Sequence, residues 1–292
     1  MAAGRRQGTI GGIMFATVAA AIILAAPRYV EEPVFWIALI ALPWLSVWIT
    51  APLGIRRNNW NPIDFGHHPF DPSGLEAPDE VAARFRCATA DLEALGFVRR
   101  GCYRHNPASH GIVPYLGLFE RPGTWEVAKL MINLTRLGPR TTLMFQTTFA
   151  DGTEMVTSDA TELPPWPRRE GVLGMPFPEI GSTSTLLEIH RALAARHGGR
   201  PVREMPPADD RLLDYLRATV EKNRAWPLAI GFTERDEARG VFRPTWKAAF
   251  WNAWGRLWPV GAIRRAFRRR RAGQTLRELV LEGRLAEGGI RA

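Results

Sequence analysis

The sequence predicts an α+β protein with a membrane-spanning entry segment. Two uncharged apolar runs open the chain, and a helix followed by five strand-like runs fills its middle. A segment rich in tryptophan and arginine lies near its end. The expected order is a two-helix transmembrane hairpin over residues 1–55, a juxtamembrane linker over 56–78, and a cytoplasmic α+β domain over 79–235. An amphipathic, arginine-rich helical segment over 245–292 closes the chain.

The first apolar run, residues 8–26, carries no charge over 19 residues, and the second, residues 34–54, carries none over 21. At about 1.5 Å per helical residue, each is long enough for a hydrocarbon core of roughly 30 Å. Arg5 and Arg6 precede the first run and Arg56 and Arg57 follow the second, while the short link holds one arginine and two glutamates. The positive-inside rule then expects a two-span protein of the cell (inner) membrane with both termini cytoplasmic. A cleaved leader is the rival reading, and Pro27 after Leu24-Ala25-Ala26 opposes it.

The linker, rich in Pro, Asn and Gly, reads as irregular. It holds Asp64, His67, His68 and Asp71, but no spacing there brings three ligands together, so no metal is expected. Cys87 and Cys102, without a C-x-x-C, read as reduced thiols.

The domain opens on a helix, because Val81, Phe85, Ala88, Leu92 and Leu95 recur at helical spacing between Pro78 and Gly96. Strands are expected over 97–105, 112–119, 125–135, 141–150 and 153–158. Ala128, Leu130, Ile132 and Leu134 share one face, as do Leu143, Phe145, Thr147 and Phe149. The turns "RPGT" at 121–124 and "ADGT" at 150–153 make this an antiparallel meander packed by helices. Residues 162–181, rich in Pro and Gly, read as a long loop, either a functional flap or a packed excursion. Two further helices follow, one with a capping box at Thr185 and Glu188 and an inner face including His190, the other led by Asp209 or Asp210 with Leu212, Leu213, Leu216 and Val220 inside.

Chemistry is sparse. G-x-S-x-G, the P-loop, G-x-G-x-x-G and H-E-x-x-H are all missing from the sequence, so no catalytic residue is assigned and no cofactor is expected. "GSTST" at 181–185 reads as a helix cap rather than an anion cradle. His190 reads as a core histidine and the threonines of 147–157 as ordinary strand residues, while His105, Ser109 and His110 lie in a turn.

Residues 246–271 carry eight basic and no acidic side chains, against a whole-chain charge of +9. On a helical wheel Trp246, Phe250, Ala253, Trp254 and Leu257 share a face that Trp251 and Trp258 extend, before Pro259 interrupts. Arg264, Arg265, Arg268, Arg269, Arg270 and Arg271 then form a cationic run leading to a short helix at 275–281. The aromatic face and the basic run are segregated, which fits a membrane-surface helix on anionic lipid headgroups better than a nucleic-acid groove. The expected partners are therefore the lipid bilayer and an unidentified protein or small ligand.

The functional expectation is a membrane-anchored ligand- or protein-binding module, serving as scaffold, accessory subunit or sensor. One alternative is a membrane-bound enzyme with a site formed by the sheet, the 162–181 loop and His190. The other is an envelope or anionic-lipid-organising protein.

Overall fold

A computed structural model describes residues 33–74, 77–161, 166–206, 209–257 and 259–286, with the side chains of 33–44 and 209 excepted. The chain divides into two compact units, residues 1–54 and 55–292. The described helices are α1 (Pro33–Asn58), α2 (Asp79–Ala94), α3 (Thr183–His197), α4 (Leu212–Ala229), α5 (Trp246–Arg256) and α6 (Val260–Leu281).

One expectation is overturned here. No helix among the described residues is long and apolar enough to cross a membrane. The two-span hairpin falls with that finding, and so do the multi-pass membrane localisation and the topology built on it. Residues 8–26, the first expected span, lie outside the described residues. The second run does form the helix α1, Pro33–Asn58. Its basic end is also engaged: Arg56 pairs with Glu234 at 2.9 Å and donates to the Pro244 carbonyl at 3.2 Å.

Within residues 55–292 the main sheet runs in the order β2 (His68–Pro69), β3 (Val98–Arg104), β4 (Val113–Arg121), β5 (Glu126–Thr135), β6 (Gly138–Phe149), β7 (Glu154–Ser158) and β8 (Val172–Pro176). The five expected strands are all present, joined as an antiparallel meander from β3 to β7. Gly123 and Gly152 take positive φ of 81° and 83° in the two expected turns, a backbone region open to glycine at no steric cost.

Three features depart from the sequence reading. The 162–181 loop contains β8, which pairs with β7 in parallel. The linker is not merely irregular, since it supplies β2 to the main sheet and β1 (Asn61–Pro62) to a second, three-stranded one. That small sheet is completed by the hairpin β10 (Thr233–Asp236) and β11 (Val241–Pro244), while a short β9 (Pro201–Val202) adds to β6.

Alternation along the strands sorts the side chains into two faces. One face carries Phe119, Ala128, Leu130, Ile132, Leu143, Phe145 and Phe149, all buried under α2, α3 and the end of α6. The other carries a smaller core of Leu116, Leu118 and Val127 with Leu212 and Leu216 of α4. Beyond that core the second face turns polar: Lys129 donates to Gln146, Gln146 and Thr148 to Glu204, and Lys222 and Arg169 to Glu154.

Candidate anionic-surface contact site

The C-terminal helices are built so that small residues face inward and large ones outward. Thr245 caps α5, its hydroxyl accepting from the Ala248 N–H at 3.3 Å. Ala248, Ala249 and Ala253 are then buried, and only such short side chains let the helix lie close to its support. The bulky positions turn away: Trp246 is 45% exposed, Phe250 and Trp251 43% each, and Trp254 53%. Ala253 lies at the edge of the aromatic face, where that face borders the inward alanine stripe, and is buried with it. Leu257 ends α5 as a half-buried cap, and Trp258 lies outside the described residues.

The cationic run is also reorganised. Pro259 does separate α5 from the basic segment, but α6 is one helix from Val260 to Leu281, so all six arginines are helical rather than preceding a short helix. Ile263 and Phe267, one turn apart, are 51% and 66% exposed and stand among them. Arg264 sits 4.7 Å from the Trp251 ring centroid, which joins the basic helix to the aromatic one. Arg269 pairs with Glu179 at 3.0 Å, where both side chains are exposed and solvent screens the attraction. Arg265, Arg270 and Arg271 are exposed, and Arg268 is half-buried, its Nε donating to the Arg264 carbonyl. The result is a single helical corner with half-exposed aromatics on one arm and guanidinium groups around the other.

The remaining candidates resolve into structural roles. His190 is wholly buried, its Nε2 2.9 Å from the Thr147 hydroxyl and its Nδ1 3.0 Å from that of Thr157. Desolvation, only partly countered by Glu126, pushes its pKa down to about 4, so the ring is neutral at pH 7. His105 is buried as well, with Nδ1 2.8 Å from the Gly66 carbonyl and the ring 4.8 Å from that of His67; burial lowers its pKa to about 4. His110 turns instead to Asn59, so the Ser109-His110 pair does not converge with His105. Ser182 caps α3 by accepting from the Thr185 N–H, three residues before the expected cap at Thr185. The threonines divide by strand alternation, Thr147 and Thr157 into the core and Thr148 to the polar face. Among the described residues no group of three or more His, Cys, Asp or Glu is placed to hold a metal ion.

No protein-family model matches the chain. No curated protein and no solved structure matches it either.

Proposed function

We propose that this chain is a peripheral binding module whose α5–α6 corner docks on an anionic lipid surface and carries the α+β body to it. The observation that supports the reading is the inversion of α5: alanines are buried while Trp246, Phe250, Trp251 and Trp254 stay half exposed beside an arginine-rich helix. Apolar surface left in water beside concentrated positive charge suits an interface where acyl chains and anionic headgroups meet. Each arginine near such a surface contributes about 1 kcal/mol, and the aromatic rings add apolar burial that salt does not screen. No spanning segment is required by this mode of contact.

The test is co-sedimentation of the full chain with vesicles of neutral phosphatidylcholine alone or mixed with phosphatidylserine. Binding is expected on the mixed vesicles only. The double variant Phe250→Ser, Trp254→Ser should weaken it about tenfold or more, since two large rings no longer enter the interface. A chain that ignores both vesicle types, or a double variant that binds as tightly as the parent, rules the reading out.

A further inference from the structure

The end of the arginine run borders a cleft that has the chemistry of an anion site. Arg271, Gln274, Thr275 and Glu278 recur at helical spacing on one face of α6, and with Met175 of β8 and Leu193 and Arg196 of α3 they line a cleft of about 360 Å³. Thr275 is only 8% exposed, yet its hydroxyl makes no hydrogen bond among the described residues and borders this space. Bordering the cleft without a protein partner, that hydroxyl is open to a donor or acceptor arriving from outside. Glu278 does not oppose an anion strongly, because Arg196 holds its carboxylate at 2.8 Å.

A further guanidinium stands nearby. Arg168 lies over Gly174, the neighbour of Met175, with its Cζ 3.4 Å from where a Cβ on that glycine would be. Neither Arg168 nor Arg271 has an acidic partner among the described residues. Partial desolvation and then the like charge of Arg271 lower the pKa of Arg168. Two cations close enough to repel each other, beside an unpaired hydroxyl and a free amide, gain most from a ligand with several anionic oxygens.

We infer that the cleft between β8, α3 and α6 binds a phosphate group, with Arg271, Gln274 and Thr275 as its donors and Arg168 as a flanking charge. The phosphate belongs either to a free ion or to a phosphomonoester headgroup, and the second source rests on the surface docking proposed above.

Calorimetric titration of the full chain with inorganic phosphate, at constant ionic strength set by chloride, tests the cleft without any lipid. Saturable uptake is expected. Thr275→Val and Arg168→Gln should each weaken it about tenfold, as loss of a charge-assisted or buried bond does. Thr275→Ser, which keeps the hydroxyl, should stay within about threefold of the parent. Absence of saturable uptake, or Thr275→Val binding as the parent does, overturns the inference. Vesicles containing phosphatidic acid, compared with phosphatidylserine at equal charge, assign the source. A preference for phosphatidic acid that Thr275→Val abolishes points to a headgroup, whereas uptake of phosphate without that preference upholds the site as one for the free ion. Phosphate uptake by a chain that sediments with no vesicle leaves the cleft standing and removes the surface reading alone.

Discussion

His190 shows how one side chain ties the two faces of a core together. It projects from α3 onto the sheet and spans β6 and β7 through Thr147 and Thr157, so a neutral ring in an apolar layer keeps both nitrogens paired. Thr157→Val should cost about 1–3 kcal/mol, because Nδ1 is then buried without a partner. The pH dependence has a definite sign. With a pKa of about 4 when folded against an ordinary 6.5, His190 binds fewer protons folded than unfolded between those values, so its contribution is lost as pH falls through that window. His105 behaves alike for the same reason, its folded pKa also being about 4. Chemical denaturation should therefore show about 2 kcal/mol less stability at pH 5 than at pH 6.5 for each histidine. The variant His190→Gln should lose roughly half of that slope, and an unchanged slope would contradict the assignment.

At the scale of elements, legibility depends on whether an element carries its own periodicity. The strands β5 and β6 repeat apolar residues at every second position over ten and twelve residues, so both their existence and their inner faces are readable from the letters. Strand β8 is five residues, "VLGMP", ending at a proline within a stretch rich in glycine, and only its pairing with β7 makes it a strand. The same holds for the two-residue β1, β2 and β9, whose partners lie far away in sequence. Helix α6 misleads for a different reason. Like charges one turn apart disfavour an isolated helix through the arginine run, yet Leu276, Leu279 and Val280 anchor it in the main core and tertiary packing outweighs the repulsion. The contact site is legible in its residue types but not in its orientation, since nothing local says that the alanine stripe of α5 is the inward one.

Two close approaches between elements yield predictions. A Cβ on Gly117 of β4 would stand 2.8 Å from Phe85 Cε1 of α2 and 3.0 Å from Phe119 Cε2, so Gly117→Ala should destabilise the chain by about 1–3 kcal/mol. An unchanged urea midpoint would show that the ring of Phe85 moves aside freely. A Cβ on Gly261 would collide with the Arg256 carbonyl oxygen, backbone that has no rotamer to change. Gly261→Ala should therefore open the α5–α6 corner, raising proteolytic cleavage near residues 256–261 while leaving the sheet intact.

Over the whole molecule the charge is uneven, with residues 246–271 carrying eight basic and no acidic side chains in a chain of net charge +9. Such a distribution orients the molecule in the field of an anionic surface before contact, and the orientation weakens as the Debye length shrinks from about 10 Å at 0.1 M salt to about 3 Å at 1 M. The aromatic contribution persists in salt, so docking draws on both parts of the corner. The most direct test replaces Arg264, Arg265, Arg268, Arg269, Arg270 and Arg271 with glutamine in the full chain and measures its partition onto phosphatidylserine-containing vesicles against neutral ones. Removal of six charges should lower binding to the anionic vesicles at least about a hundredfold, less than the full sum of about 1 kcal/mol each because Arg264 and Arg269 already have partners. Binding to neutral vesicles should not change. A variant that partitions onto anionic vesicles as the parent does would contradict the claim that this corner meets an anionic surface.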